Sequence, residues 1–364
     1  MPKRWVFIAL IILLLIFSFT YFVVHFYRFL VSPINPTQTL HVVFEPGSSV
    51  HHLVLDLQNQ TAMPQPRFFL LLAYLKGATN KLKTGEYQFD PGTTPDQLLD
   101  QMLSGKCILH RFTIVEGWTF QQLISALNHL TTIGHQLPPI SSEQVLANLR
   151  LPAENPEGLF FPATYYFSAR TQDTDLLKRS YQLLEKKLRD AWEHRAAALP
   201  YKTPYQALIA ASLIEKETAI AKERPMIAGV IVRRLQANIP LQIDASIIYG
   251  LGVHYNGKLG IGDLRKDTPY NTYTRRDLPP TPICSPSFAS ITAALHPDQS
   301  QNLYFVAKGD GSHQFSAHLA DHNWAVQRYQ LDQRYPYVKK TKSCQSLWYL
   351  SSSMRVFLCQ LKSL

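Results

Sequence analysis

The hydrophobic pattern begins with a continuous apolar run. No Lys, Arg, Asp or Glu occurs from Trp5 to Tyr27, and the run is longer than the about 20 residues that a helix needs to cross a bilayer. It ends in bulky side chains and lacks the small-residue cleavage site of a secretory signal. We therefore predict an uncleaved transmembrane signal anchor at residues 5–27. A buried core helix is the weaker alternative, because core helices rarely lack all charge over this length.

Short units of strand, glycine-containing turn and helix come next. After a proline-bearing linker at residues 28–39, strands are predicted at Leu40–Phe44, Gly85–Phe89 and Phe112–Val115. A glycine turn follows each strand, and then apolar residues recur at helical spacing behind a Ser or Thr that can cap the helix. Small units of this kind predict an α+β fold.

The middle of the chain has a helical pattern. Thr203 is a good N-cap, Pro204 suits the first helical position, and the apolar periodicity continues to about Lys222. A second helix is predicted from Pro225 through Leu235, and a stretch rich in Gly and Pro follows. The last predicted elements are a strand at Leu303–Ala307 and a helix at Asp321–Tyr329.

Composition and charge narrow the possible partners. Lys and Arg number 36 against 26 Asp and Glu, so the net charge is +10. This charge either favours anionic partners or only keeps the protein soluble. The positive residues are spread along the chain without a basic block or zinc-finger spacing, so nucleic acid is not an expected partner. The four cysteines are scattered and no His-Glu-x-x-His helix occurs, so we predict neither a metal site nor a cofactor.

One carboxylate stands out by its neighbours on the predicted helix. Three and four positions from Glu217 lie Leu213 and Ile214 on one side and Ile220 and Ala221 on the other, and such positions share a helix face. A carboxylate on an apolar face must be neutral, paired or functional. On these residues alone, an ion pair with an Arg or Lys of the second helix is the favoured interpretation.

Two neighbouring acids have plainer interpretations. Glu215 is predicted to lie on a half-solvated face, and Glu223, beside Arg224, is predicted to be a charge at the end of the helix.

A motif on this helix changes the balance for Glu217. The run from Ala211 to Ala219, followed by Glu223-Arg224, resembles the signature of the endolytic murein transglycosylase family, called MltG or YceG-like. The resemblance extends from the anchor to about Val338. Further blocks stand in the family's order and spacing: Leu241-Gln242-Ile243-Asp244, Tyr270-Asn271-Thr272-Tyr273, Leu278-Pro279-Pro280, Gly309-Asp310-Gly311-Ser312-His313 and His322-Asn323.

The resemblance implies an activity. Glu217 is the second Glu of the family's Glu-Lys-Glu-Thr, which is the catalytic acid/base. The implied reaction cleaves peptidoglycan glycan strands after N-acetylmuramic acid and leaves 1,6-anhydro ends, which would terminate strand elongation, and cell-wall synthases are candidate partners. Weaker candidates for holding the sugar, for which structural hydrogen bonding is at least as strong an interpretation, are Gln242, Asp244, Asn271, Tyr273 and Asn323.

Three positions depart from the family's pattern. Ala163 stands where the family usually has Asp in Phe-Pro-Asp-Thr-Tyr, Ala245-Ser246 replaces Pro-Thr after Asp244, and Thr281 stands where Gly is common. Any role of a carboxylate at position 163 is therefore left open.

The predicted organisation has six parts. They are a cytoplasmic N-terminus at residues 1–4, the anchor at 5–27, the linker at 28–39, a LysM-like module at 40–105, a mixed α+β catalytic domain at 106–338 and a tail of unknown structure at 339–364. Lys3 and Arg4 favour a cytoplasmic N-terminus, which implies an inner-membrane protein with a periplasmic catalytic domain. The LysM-like module follows from the resemblance, and a simple spacer is the alternative.

Three other functions remain open. A muramidase would act on the same substrate with water as the nucleophile, and a non-catalytic peptidoglycan-binding scaffold would need Glu217 only for structure. A basic protein of the membrane surface is less favoured, because no long basic amphipathic helix occurs.

Overall fold

The structure is a computed structural model that describes residues 2–60, 65–135, 142–151, 155–169 and 171–331. The tail predicted at residues 339–364 lies outside the described residues. The chain divides into two compact units. Unit 1 comprises Met1–Phe112, Leu130–Gln136 and Tyr165–Asp173, and unit 2 comprises Thr113–His129, Leu137–Thr164 and the chain from Thr174 onward.

Unit 1 begins with one long helix, α1 (Pro2–Val31). Its segment Trp5–Val31 has 27 residues and is long and apolar enough to cross a membrane. The most apolar window of this segment is not buried against the protein, which is consistent with the predicted anchor and unlike a core helix. The helix continues past the predicted end at Tyr27, because Arg28 brings a charge and does not break the helical backbone.

A two-stranded sheet and three helices form the core of unit 1. Strands β1 (Leu40–Phe44) and β2 (Gly85–Phe89) pair antiparallel along their full length, and both strand predictions are confirmed. Alternate side chains are buried, as in a sheet with one face on a core. The helices are α2 (Val50–Gln60), α3 (Pro66–Leu75) and α4 (Pro95–Ser104). Central buried side chains are Val42, Leu53, Leu57, Phe69, Tyr87, Phe89, Leu98, Leu99 and Met102.

The third predicted strand is displaced along the chain. Strand β3 is His110–Thr113, and it forms a two-stranded sheet with β4 (Thr164–Phe167). The strand ends at Thr113 because a turn begins at Val115. The Val115 carbonyl accepts the Trp118 N–H at 3.2 Å. The predicted end of the strand at Val115 was therefore wrong by two residues.

The rest of the described residues are mainly helical, so the mixed α+β class is confirmed. Helix α8 (Pro204–Glu217) is buried from Ala207 to Ile214 and packs against α9 (Arg224–Gln236) and α12 (Phe288–Leu295), which makes it the central helix of unit 2. The remaining elements are α5 (Phe120–Asn128), α6 (Ser142–Leu149), α7 (Asp173–Glu193), α8 (Pro204–Glu217), α9 (Arg224–Gln236), α10 (Asp244–Leu251), α11 (Ile261–Arg265), α12 (Phe288–Leu295), β5 (Tyr304–Ala307), β6 (His313–Ser316) and α13 (Leu319–Val326).

The central helix is shorter than predicted. Its start is confirmed, since the Thr203 side chain accepts the N–H of Gln206. It ends at Glu217 rather than near Lys222, because Thr218 has an extended backbone with φ −144° and ψ 136°. The Thr218 hydroxyl accepts the Ile220 N–H at 3.0 Å, so a side-chain turn replaces the next helical hydrogen bonds.

Candidate active site

Glu217 is the last residue of α8. Leu213 and Ile214, one turn earlier, are completely buried, so this half of the predicted apolar face is present. Ile220 and Ala221 lie beyond the end of the helix and are exposed, so the other half was predicted wrongly. The carboxyl group therefore lies at the C-terminal end of a buried helix, where the partial negative charge of free carbonyls also disfavours an anion.

The electrostatic surroundings of Glu217 favour its protonated form. The residue is partly buried, and burial, followed by the negative charge of Asp244, raises the pKa of the Glu217 carboxyl to about 7. Among the described residues, none makes a hydrogen bond or an ion pair with this carboxyl group. A neutral, unpartnered acid with a pKa near neutrality can donate a proton and later accept one.

The ion pair favoured from the helix pattern alone is not found. Two of the three arginines of α9, Arg233 and Arg234, have other partners, and no ion pair among the described residues involves the third, Arg224. Arg233 contacts Asp298 at 3.2 Å and donates to two backbone carbonyls. Arg234 donates to the carbonyls of three residues, Leu303, Pro240 and Leu241. Glu217 is therefore not held as a buried ion-pair partner within the described part of the chain.

Asp244 and Tyr273 form a pair beside Glu217. The Tyr273 hydroxyl donates to Asp244 Oδ1 at 2.6 Å. Burial and the charge of Asp244 both raise the pKa of Tyr273, and Glu217 contributes in the same direction. Asp244 is the first residue of α10, where the free N–H groups of the helix favour a negative charge. The structure thus places an anion, held by a tyrosine, within electrostatic reach of Glu217.

Gln242, two residues before Asp244, is held by hydrogen bonds of both its side chain and its backbone. Its Oε1 accepts from Arg234 Nη1 at 3.0 Å, and its N–H donates to the Thr272 carbonyl at 3.0 Å. Its φ of 55° lies in the left-handed region, which few non-glycine residues adopt. Backbone conformations of this kind cluster at functional sites. Gln242 is exposed, so the side chain combines a fixed position with access to solvent.

Asn271 is used by the fold. It is buried, and its Nδ2 faces the carbonyls of Asp263, Leu264 and Lys266 at 2.8–3.2 Å. Its Oδ1 accepts the Tyr273 N–H at 2.8 Å. These contacts occupy the whole amide group, so Asn271 positions the segment that carries Tyr273.

Asn323 lies on α13, next to His322. Its Oδ1 is buried and has no hydrogen bond among the described residues, and the same holds for His322 Nδ1. His322 stacks on Tyr304 with ring centroids 5.2 Å apart, and Tyr304 covers the Arg234 guanidinium. The described hydrogen bonds do not join Asn323 to Glu217, so the structure groups the other candidates more closely than this one.

Sequence reasoning missed a second acid, Glu157. It is 4% exposed, and its carboxyl group accepts the Phe120 N–H at 3.0 Å and the Tyr249 hydroxyl at 3.1 Å. Burial raises its pKa to about 7, although these hydrogen bonds act in the opposite direction. The following residue, Gly158, has a φ of 74° and packs against Pro282, which leaves no room for a side chain. A glycine marks a constrained backbone and not an acid, so the sequence carried no local signal for Glu157.

Two other acids have structural partners. Glu215 accepts hydrogen bonds from Ser287 N, Ser287 Oγ and Ser290 Oγ at 3.0, 2.5 and 2.6 Å, and it thereby ties α8 to the first turn of α12. Glu223 is buried and accepts His313 N and Nδ1 at 2.8 Å each. The half-solvated position predicted for Glu215 is confirmed, whereas Glu223 is buried. The hydrogen-bond partners of both residues were missed, because they lie 72 and 90 positions away in the chain.

Comparison with known families decides the membership of this chain. Residues 42–328 match the model of the YceG-like family. The chain belongs to the YceG-like family. Two relatives are named endolytic murein transglycosylase. The Bacillus subtilis protein is 30% identical over 322 residues, which cover 80% of this chain and 85% of that protein. The Streptococcus pneumoniae R6 protein is 27% identical over 329 residues, which cover 79% of this chain and 58% of that protein.

A solved structure belongs to the same comparison. The crystal structure of a YceG-like protein from Listeria monocytogenes is 28% identical, and the match covers 79% of this chain and 99% of that chain, with a TM-score of 0.49.

The departure from the family's pattern at Ala163 involves a residue that makes a backbone contact, since the Ala163 carbonyl accepts the Ile114 N–H at 3.0 Å. A carboxylate at position 163 is therefore not needed for this pairing.

Proposed function

We propose that this YceG-like chain is an endolytic peptidoglycan lytic transglycosylase with Glu217 as its single acid/base. The observation that carries the proposal is the Glu217 carboxyl, which has a pKa of about 7 and no hydrogen bond among the described residues. The names of the relatives supply the substrate class. The site and the names point to the same chemistry from independent directions.

The reaction needs one group that is first an acid and then a base. Protonated Glu217 gives its proton to the glycosidic oxygen while the bond from that oxygen to C1 of N-acetylmuramic acid breaks. The resulting carboxylate then takes the proton of the C6 hydroxyl of the same sugar, and O6 bonds to C1. The products are a 1,6-anhydro end and a released strand, no water is consumed, and Glu217 is again protonated. A pKa near neutrality suits both steps.

The neighbouring residues would position the acid and the sugar. Asp244 keeps Glu217 protonated through its negative charge, and Tyr273 holds Asp244. Gln242 is the best placed of the remaining candidates to contact a sugar, because it is both fixed by Arg234 and exposed. Asn271 supports the loop and is not expected to contact substrate, and Asn323 stays a weak candidate.

Placement in the cell is the second part of the proposal. The segment within α1 would cross the inner membrane once, with residues 1–4 in the cytoplasm and the catalytic domain at residues 106–338 in the periplasm. The part at residues 40–105 would act as a LysM-like glycan-binding module. Cleavage by the catalytic domain would terminate the growth of nascent strands next to the synthases. A reporter that is active only in the cytoplasm, fused after Val338, should be silent; a cytoplasmic signal would contradict this orientation.

Mass analysis of digested sacculi tests the reaction. The full-length protein should release fragments that are lighter by one water than hydrolytic products, because their N-acetylmuramic acid ends are anhydro. Glu217→Gln protein should release none above background. Reducing ends in place of anhydro ends would establish a muramidase, and binding without any cleavage would establish a scaffold.

A further inference from the structure

Helix α3 is an apolar helix with an exposed side. It contains no acidic residue, and Phe69, Leu72 and Ala73 fill the core of unit 1. Phe68, Leu71 and Leu75 recur at positions i, i+3 and i+7, so they form a second apolar stripe on another side of the helix. Leu75 is 64% exposed, and Tyr74 next to it is 75% exposed. The core of unit 1 therefore leaves this stripe without cover at its far end.

Aromatic side chains join the start of α3 to the end of α1. The Phe68 ring lies with its centroid 5.6 Å from Phe22, 5.5 Å from Phe26 and 5.8 Å from Phe29. All three contacts are edge-to-face, the preferred geometry for such ring pairs. They fix the first turn of α3 against the last turns of the membrane-spanning segment.

The sequence of α1 gives the depth of this contact. Arg28 is the first charged residue after the apolar run, and a charged side chain places its head at the bilayer interface rather than in the hydrocarbon. At about 1.5 Å per residue, Phe22 lies roughly 9 Å deeper than Arg28, and Phe26 about 3 Å deeper. Two of the three α1 rings that Phe68 contacts, Phe22 and Phe26, therefore lie on the hydrocarbon side of Arg28.

We propose that α3 is an in-plane membrane helix whose apolar stripe, joined to α1 through Phe68, is covered by lipid along Leu71 and Leu75 at the boundary between acyl chains and headgroups. This inference rests on the proposed membrane anchor, and it adds a second contact between unit 1 and the same leaflet. Lipid is the occupant because the stripe continues from rings that already touch the spanning segment. An apolar stripe of this kind buries itself about 5–10 Å into the interface.

The polar groups around α3 fit the same depth. Arg67 and Arg28 are both exposed, and neither has an ion pair among the described residues, so both are free to meet lipid phosphates. Tyr74 combines an apolar ring with a hydroxyl group and suits the headgroup level. Lys76 is different, because it is held by Asp96 and Asp100 at 2.7 and 2.5 Å and therefore belongs to the protein side of the helix.

Depth-dependent quenching in proteoliposomes tests the proposal. A fluorescent amino acid is placed at Leu75, at Phe17 or at Leu109 of the full chain, and the lipids carry a nitroxide either near the headgroup or deep in the acyl chain. Phe17 lies within the spanning segment and is the positive control. Leu109 is an exposed leucine of unit 1 outside α3 and is the matched control.

The three positions separate the outcomes. We expect the shallow nitroxide to quench the probe at Leu75 strongly, the deep nitroxide to quench it less, and neither to quench the probe at Leu109. Loss of quenching at Phe17 would overturn the membrane anchor itself, whereas quenching at Phe17 with none at Leu75 would overturn only the role of α3. A probe at Leu75 that is shielded from water but unquenched would show that protein covers the stripe, which also contradicts the proposal.

A second variant links the quenching to the stripe. With the probe at Tyr74, Leu75→Asp should reduce quenching by the shallow nitroxide, because a carboxylate resists transfer from water into the interface. Both positions are exposed, so the substitution leaves the core of unit 1 intact. Unchanged quenching in this variant would show that the stripe does not hold α3 in the bilayer.

Discussion

Unit 2 contains two carboxylic acids whose pKa is raised by burial and whose hydrogen bonding differs. Burial raises the pKa of both Glu217 and Glu157 to about 7. The Glu157 carboxyl accepts hydrogen bonds from the Phe120 backbone and the Tyr249 hydroxyl. The Glu217 carboxyl accepts none from the described residues, and its second electrostatic influence is the like charge of Asp244.

The comparison shows that a raised pKa reports desolvation and not a role. A carboxyl group whose lone pairs are taken by a helix N-terminus and a tyrosine holds the fold together, because any proton transfer to substrate would first break those bonds. A carboxyl group without such bonds can exchange its proton with a ligand. Perturbed acids near a cleft are functional candidates, and hydrogen-bond saturation separates the two classes here.

The largest effect expected from this difference is on activity. Glu217→Gln keeps the shape of the side chain and removes its proton. General acid/base catalysis contributes about 10²–10⁴ in rate, and one residue plays both parts here, so the loss should reach the upper end of that range or exceed it. The release of anhydro fragments from sacculi measures it, and a near wild-type rate in the variant would rule out Glu217 as the acid/base.

Glu215→Gln is the matched control two residues away. Glu215 binds Ser287 and Ser290 at the start of α12, so the substitution should lower the free energy of unfolding by about 1–3 kcal/mol. Its activity per folded molecule should fall far less than that of Glu217→Gln. If Glu215→Gln is folded and the more damaging of the two for catalysis, the assignment of roles on α8 is reversed.

The second effect of Glu217→Gln is a gain in stability, in contrast to its loss of activity. The pKa of Glu217 is raised from 4.5 to about 7 in the folded state. The free energy of unfolding therefore falls as the pH rises through this window. The stabilising contribution of the protonated group is lost above about pH 7. One unit corresponds to about 1.4 kcal/mol, so the loss is at most about 3 kcal/mol. Glu217→Gln should therefore be more stable than the wild type at pH 8 and nearly equal to it at pH 4.5.

Chemical denaturation at the two pH values measures this gain. A gain in stability with a loss of activity is the expected mark of a destabilised catalytic residue. A variant that is less stable than the wild type at pH 8 would show instead that Glu217 has a stabilising partner, as the ion-pair interpretation requires.

The third effect concerns Glu157, the other acid whose pKa is raised by burial. Glu157→Gln should reduce the free energy of unfolding by about 1–3 kcal/mol, because the amide nitrogen cannot accept the hydrogen bonds that the second carboxyl oxygen accepts. Tyr249→Phe removes one of these bonds and should have a smaller effect in the same direction, of about 1 kcal/mol. Thermal unfolding of both variants measures the effects. A folded Glu157→Gln protein that does not cleave glycan strands would show that Glu157 has a role in catalysis and not only in stability.

Local signals in the sequence were sufficient for the elements with turns and caps of their own. Strand β2 was predicted at its observed bounds, and the predicted Thr203 cap begins α8. Helix α3 was missed because its residues are apolar on two sides, one facing the core and one exposed, so they show no single amphipathic face. The end of α8 was missed because Thr218 closes the helix through a hydrogen bond to Glu223, five residues further on.

The candidate site was only partly readable from sequence. The apolar neighbours and the motif both pointed to Glu217, but the partner Asp244 came from the resemblance alone and could not be ranked above Asn271. Their difference lies in tertiary contacts: Asn271 is saturated by the carbonyls of its own loop, whereas Asp244 is exposed and bound by Tyr273. Glu157 was missed because Phe120 and Tyr249 lie 37 and 92 positions away in the chain.

The smallest effect tests how Asp244 acts on Glu217. The negative charge of Asp244 raises the pKa of the Glu217 carboxyl, so Asp244→Asn should lower that pKa. Protonated Glu217 is the form that starts the reaction, and its population falls as the pH rises through the pKa. The alkaline limb of kcat/KM on soluble glycan strands should therefore move to lower pH, while the rate below about pH 5.5 stays close to that of the wild type.

Tyr273→Phe separates the charge of Asp244 from its hydrogen bond. This variant keeps the carboxylate and removes the hydroxyl that donates to it at 2.6 Å, so the alkaline limb should not move to lower pH. If Asp244→Asn instead reduces kcat/KM by the same factor at every pH and leaves the limb in place, Asp244 contacts the sugar and does not tune the acid. If both variants shift the limb downward equally, the hydrogen-bonded pair acts as one unit, and the charge alone does not account for the pKa of Glu217.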